Sequence, residues 1–204
     1  MPSAAAVRLS EAHRLAQRRI GIATVARMRR VWPLLQLEDL DGSFADWLLT
    51  VEPIVTEQRL VSARLAAGYV STLRSVELGV NPGYTPRLAG PLAAARLRQS
   101  MLSTGPIAVK AKLARGTFRT VAMSEAEAQS AGAAMRHAVN GGRETILASV
   151  AEDDRARGWR RLTSGEPCDF CSLLASNGAV YTDATVQFAA HDSCLCSAAP
   201  EYRD

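Results

Sequence analysis

All four cysteines of the chain fall in two short clusters near its C-terminus, Pro167-Cys168-Asp169-Phe170-Cys171 and His191-Asp192-Ser193-Cys194-Leu195-Cys196. A C-x-x-C pair can turn both thiols toward one ion. The His-x-x-Cys-x-Cys that begins twenty residues after Cys171 offers the other donors of a tetrahedron, with one to spare. Cys194 and Cys196 are two positions apart, so on a strand they share a face and both reach the same point. The candidate metal ligands are therefore Cys168, Cys171, His191, Cys194 and Cys196. Either the four thiols bind and His191 orients one of them, or His191 replaces one C-terminal thiol. Clustered cysteines in a reducing cytosol favour structural zinc as the cofactor. Three rivals stand beside it: disulfides formed in oxidising surroundings, free buried cysteines, and a catalytic metal or thiol with His191 as its base.

The segment around these cysteines, residues 155–204, reads as a small α+β module too short to rely on apolar burial alone. Short strands are expected at 159–163, 179–181 and 194–198, with a turn at 164–167 and a turn or two of helix out of the C-x-x-C, ended by Asn177-Gly178. A further short helix is expected from Thr182 to Ala190. Residues 1–154 read as an elongated helical region, so the fold class is mainly α with a zinc-stapled C-terminal module. The chain has 48% apolar residues, enough for a core, and lacks both an apolar run of membrane-spanning length and a secretory signal pattern. The expected product is a soluble protein made in the cytosol, with no membrane partner.

The helices are read from periodicity and breakers. Residues 4–31 carry Val7, Leu15, Ile20, Ile22, Val25 and Met28 among arginines, with His13 on the wet face, and Trp32-Pro33 ends the helix. A second run begins after a Ser43 cap and reaches Leu78, with an aromatic and aliphatic stripe for the core and Pro53 as a kink or a new start. Gly79 to Pro86 breaks it. Helix resumes over 87–101 and again from Gly105-Pro106 to Arg115. A capping box at Ser124–Glu127 opens a small-residue helix bearing His137, a structural histidine, and Asn140-Gly141-Gly142 separates this helix from a last one over 143–154.

Charge is segregated: +6 over residues 1–37, −6 over 38–58, +9 over 59–119, −4 over 120–154 and −1 over 155–204. Two readings follow, helix faces whose blocks pair with one another, or contact between the basic helices of residues 1–119 and DNA or an acidic partner. A nucleic-acid-reading zinc module usually carries its own positive face, and this near-neutral tail does not. Nothing in residues 1–154 matches a phosphate loop, a Ser-His-Asp set or a poised carboxylate pair, so a non-catalytic protein is expected.

Three stretches carry a family resemblance: Gly158-Trp159-Arg160-Arg161, the run from Gly165-Glu166-Pro167-Cys168 through Asn177-Gly178-Ala179-Val180-Tyr181, and Ala190-His191-Asp192-Ser193-Cys194-Leu195-Cys196 before a Pro-x-Tyr ending. In these the chain resembles the MuF-like minor head proteins of tailed bacteriophages, in the form found in phages and prophages of actinobacteria; the helical part is similar in texture. The resemblance implies a minor capsid or head-morphogenesis component in the capsid interior or portal region, present in the host cytoplasm during assembly. Its implied partners are the portal protein, scaffold or major capsid protein, and double-stranded DNA. Related proteins often continue past the last strand, so a chain ending at Asp204 is expected to lack an appended activity.

Overall fold

Three long helices form the body of the molecule; the first has the bounds its sequence suggests, and the last of the three is longer than expected. The computed structural model describes residues 2–80, 83–163, 167–176, 180–182 and 187–202. Helix α1 spans Ala4–Val31 and starts at Ser3, whose hydroxyl accepts the Ala6 amide at 3.1 Å. It stops where expected, passing into a 3-10 turn at Trp32–Leu34. Its buried face is Ala6, Ser10, His13, Gln17, Ile20, Gly21, Thr24 and Met28, while Val7, Leu15 and Ile22 lie exposed. The face expected from hydrophobicity alone is thus rotated, and His13 is inside rather than wet. Paired polar groups make that burial possible. Ser10 Oγ meets the Tyr69 hydroxyl at 2.8 Å, Gln17 Nε2 donates to the Ser62 carbonyl at 3.0 Å, and Ser62 Oγ donates to Gln17 Oε1 at 2.6 Å. His13 stacks on Tyr69 at 4.2 Å between centroids.

Helix α2 spans Gly42–Leu78 and runs unbroken through Pro53, so neither a separate helix nor a break occurs there. Asp41 stands at its N-cap; Ser43 instead accepts the Gln36 amide and donates to the Asp39 carbonyl, tying the helix to the preceding turn. The aromatic stripe does what was expected of it. Phe44, Trp47, Val51 and Val55 are buried, and Trp32 meets Trp47 edge-on in a core shared with Met28, Leu97, Met101 and Val109. Helices α3, Ala94–Thr104, and α4, Pro106–Ala114, close this end, separated at Gly105-Pro106 as read; residues 87–93 are not helical.

Helix α5 spans Arg119–Glu152, starting before the expected capping box and continuing through Asn140-Gly141-Gly142. The two glycines are explained by proximity rather than flexibility. A Cβ on Gly141 would collide with the backbone carbonyl of Arg59 on α2, and one on Gly142 would lie 2.8 Å from Ser62 Oγ and 2.5 Å from Gln17 Nε2. Tertiary packing therefore overrides the weak helix propensity of glycine, which costs about 1 kcal/mol per residue relative to alanine. His137 is buried on this helix.

The expected boundary between residues 154 and 155 falls in the turn from α5 to β1, Ala156–Leu162. Strand β1 pairs antiparallel with β2, Ser197–Tyr202, in a two-stranded sheet, with Trp159 opposite Pro200 and Leu162 opposite Ser197. Pro200 is tolerated because β2 is an edge strand. On the other side Tyr181 makes a single bridge to Trp159, so the strand expected at 179–181 is reduced to one pairing in its described part. Residue 179, the turn residues 164–166, the helix stop at Asn177-Gly178 and residues 183–186 of the expected 182–190 helix lie outside the described residues; 187–190 are not helical. Trp159, Ala198 and Ala199 join Ala6, Ala66, Tyr69, Val70, Leu73 and Ile146 in one apolar cluster, so the sheet packs directly on α1, α2 and α5.

The charge blocks pair across the helices. Arg27 meets Glu57 at 2.7 Å, Lys110 meets Asp41 at 2.6 Å, and Arg59 meets Glu144. Arg74 and Asp153 form a buried pair at 2.7 Å that ties α2 to the end of α5. None of the described helices is long and apolar enough to cross a membrane.

Candidate metal centre

Cys168 directly precedes helix α6, Asp169–Ser176, which leaves the C-x-x-C as expected. The Ser172 amide donates to the Cys168 carbonyl at 2.8 Å, and the Cys171 amide points at Cys168 Sγ at 3.5 Å. This turn brings both sulfurs to one side. Cys194 and Cys196 are not on a strand, since β2 begins only at Ser197. They are nevertheless both buried, because an irregular segment ahead of β2 is held in place by α5.

Three side-chain or backbone ties from α5 do the holding. Arg136 Nε reaches Asp192 at 2.6 Å, and the Gly132 carbonyl faces the Ser193 amide at 3.4 Å. Arg143 donates to the Cys194 carbonyl from Nη2 at 2.7 Å and to the Cys196 carbonyl from Nε at 3.0 Å and Nη2 at 2.7 Å; its Nη1 donates to Asn140 Oδ1. From β1, Arg161 donates to the Ala189 carbonyl at 2.7 Å and points Nη1 at Cys171 Sγ at 3.7 Å. Both guanidiniums lie over the Phe188 ring, Arg143 at 4.8 Å and Arg161 at 3.9 Å from its centroid.

All five candidate residues converge. Cys168, Cys171 and His191 form one group of donors, and Cys171, Cys194 and Cys196 form another, each with its atoms within 4.8 Å of one another. Cys171 belongs to both. His191 Nε2 lies 3.0 Å from Cys168 Sγ and 3.9 Å from Cys171 Sγ, and Cys171 Sγ lies 3.7 Å from Cys194 Sγ. His191 Nδ1 is 2.6 Å from the Asp192 carbonyl. A proton held there leaves Nε2 as the nitrogen offered to the sulfurs, the arrangement usual for a metal-binding histidine. The cysteines are free thiols, and the two groups could hold a metal ion.

The electrostatics divide the thiols. The Cys171 amide and the His191 ring beside it hold Cys168 below the ordinary thiol range, and its sulfur is exposed. Burial pushes Cys171 up to about 11. A hydrogen bond from Cys196, with the Arg143 charge behind it, brings Cys194 down to about 4, and Cys196, as the donor, is pushed up. The Asp192 carbonyl raises His191. Burial lowers Arg143 to about 10. A divalent ion among these sulfurs would displace the protons they share.

Arg143 and Arg161 are the residues that motif reading missed. Arg161 stands within the Trp159-Arg160-Arg161 stretch that carries the resemblance, whereas Arg143 follows a double glycine and offers no local signal.

A family model described as VG15 protein matches residues 3–204. The chain belongs to the VG15 family. This is a family of phage proteins, so the phage assignment expected from the C-terminal motifs holds at that level. Among curated proteins and among solved structures, none matches the chain.

Proposed function

We propose that this VG15-family chain is a minor head component of the MuF-like type, acting beside the portal protein during head assembly, with a structural zinc ion held by its C-terminal cluster. The family match over residues 3–204 carries the reading, since it draws nearly the whole chain into a phage family. The helical body supplies long faces for contact with portal, scaffold or major capsid protein. We read the chain as non-catalytic. The groups that converge are soft donors facing one another, with His191 Nε2 directed at two sulfurs rather than at an open substrate position.

Zinc fits the spacing. Two thiolates bound tetrahedrally at about 2.3 Å stand about 3.8 Å apart. Cys171 and Cys194 are 3.7 Å apart. The basic blocks are partly spent on neighbouring acidic residues, as in the Arg27–Glu57 and Lys110–Asp41 pairs, which favours protein contacts over DNA as their main use.

Cross-linking mass spectrometry of purified procapsids and heads tests the role. The expected result is a low-copy head protein cross-linked to the portal through residues 1–154. Absence from heads, or steeply salt-dependent duplex binding without any portal cross-link, overturns it in favour of a DNA-binding role. Elemental analysis tests the ion, with about one zinc per chain expected. Zinc should also protect the exposed Cys168 from alkylation; rapid alkylation at full zinc loading would instead mark a reactive thiol beside His191.

A further inference from the structure

Two arginines are buried at the cysteine cluster against backbone carbonyls and the Phe188 ring. Arg143 is 2% and Arg161 7% exposed, and neither has a carboxylate partner among the described residues. They approach the same ring, Phe188, and the same cysteine cluster: Arg161 points at the Cys171 sulfur, and Arg143 holds the carbonyls of Cys194 and Cys196. Burying one unpaired guanidinium is costly, and two facing a common ring repel each other as well. The groups beside them that can carry negative charge are thiols. A divalent ion bound by three or four thiolates has a net charge of minus one or minus two, which offsets two guanidiniums.

We propose that Arg143 and Arg161 are the built-in counter-charges of a thiolate-rich metal centre, so that binding the ion also locks the 187–196 segment onto helix α5. This rests on the zinc reading above and goes beyond it in three respects. The centre is anionic, with Cys171, Cys194 and Cys196 all bound as thiolates. It selects a thiophilic divalent ion over an oxygen-seeking one such as magnesium. Its stabilisation extends out of the C-terminal module into the helical body through Arg143, which directly follows Gly141-Gly142, where α5 lies tight against α1 and α2.

The test uses the full chain. Zinc affinity is measured by competition with a chromophoric chelator for the unaltered protein and for Arg143→Met, Arg161→Met and Arg161→Lys, with the exposed Arg157→Gln as control. Each methionine variant is expected to weaken zinc binding about 10- to 100-fold, the usual cost of removing a group that supports metal ligands. Arg161→Lys should restore most of the loss because it keeps the charge, and the control should not change. Affinities within twofold of the unaltered protein in both methionine variants overturn the proposal, as does an equal loss in Arg161→Lys and Arg161→Met. Should a methionine variant fail to fold, hydrogen exchange on the unaltered protein decides. Added zinc should slow exchange in α5 around Arg143 as well as in 187–196, and protection confined to the cysteine segments overturns the lock. If the unaltered protein binds no zinc, the zinc reading fails with it; zinc bound at unit stoichiometry with indifferent arginine variants leaves that reading intact and removes this one.

Discussion

Along α1, α2 and α5 the interior is filled mainly by small and apolar side chains, and its buried arginines, Arg59 and Arg74, are each paired with a carboxylate, whereas the described interior around Cys171, Cys194 and Cys196 holds thiols, guanidiniums and the Phe188 ring. The first region holds Ala63, Ala66, Val70, Ala133, Ala134 and Ala138 at helix contacts, with several polar exceptions satisfied in pairs such as Gln17 with Ser62. The second has three buried cysteines with, among the described residues, Phe188 and Ala190 as the hydrophobic side chains packed against them. A helical body of this kind gains from every contact it makes and tolerates a local loss. A small segment built from dissociable groups depends on what those groups hold. The two regions should therefore respond differently to chemistry and alike to packing defects at the seam between them.

The largest effect is expected from Cys171→Ser, which removes the one donor common to both groups. Structural zinc contributes on the order of 10 kcal/mol to small modules at neutral pH. The variant should lose metal and unfold residues 168–196, while far-ultraviolet circular dichroism keeps most of its helical signal; loss of all helix would erase the distinction between the regions. Chelation of the unaltered protein should reproduce this, reversibly, under reducing conditions.

Next comes the seam. Arg74 and Asp153 are both buried, and Asp153 also accepts the Arg155 amide at 3.1 Å just before β1. Asp153→Ala leaves a buried guanidinium unpaired, at a cost of about 3–5 kcal/mol by chemical denaturation. Since the residue joins α2 to the start of the C-terminal segment, both regions should lose stability together.

Much of this was legible in the sequence. The five donors, the helix leaving the C-x-x-C, the stop at Trp32-Pro33 and the aromatic stripe of α2 all follow from local chemistry, and local chemistry decides them. Three features depend on residues distant in sequence. The apolar residues of α1 point to a face that leaves His13 wet, but close helix packing selects small residues and matched polar pairs. Gly141-Gly142 has the local propensity of a break, while the collision that a side chain there would meet lies on another helix. The alternation at Cys194 and Cys196 fits a strand, whereas Arg143, from 51 residues before Cys194, holds their carbonyls in an irregular path. No spacing rule finds that arginine.

Acid should discriminate the helical body from within. Burial lowers His13 to about 3, and both its ring nitrogens are without hydrogen-bond partners among the described residues. Its folded value lies below its unfolded one, so its contribution to stability is intact above about pH 6.5 and is lost progressively as pH falls from there toward 3, by about 1.4 kcal/mol per unit. His13→Phe keeps the stack on Tyr69 and removes the titration. The variant should gain roughly 2 kcal/mol over the unaltered protein at pH 5 and much less at pH 7, and parallel acid limbs in the two denaturation series would contradict this. His137, lowered to about 4 by burial with Arg136 and Arg96 nearby, adds a second acid-sensitive group that the substitution leaves in place.

The smallest effect tests packing alone. Gly141→Ala gains about 1 kcal/mol of helix propensity and meets a backbone carbonyl that cannot rotate away, at about 1–3 kcal/mol. A net loss of about 1 kcal/mol in denaturant midpoint is expected, and a gain would mean that α2 and α5 can part at no cost.

Those two glycines have a mechanical side. With no side chain to ride over the ridges of α1 and α2, α5 is seated at one position along its length, like a key in a notch. Slipping it by a single residue would carry Arg143 about 1.5 Å along the axis, more than a hydrogen bond to Cys194 or Cys196 tolerates. A push or pull on the helices would be delivered undamped to the carbonyls of Cys194 and Cys196.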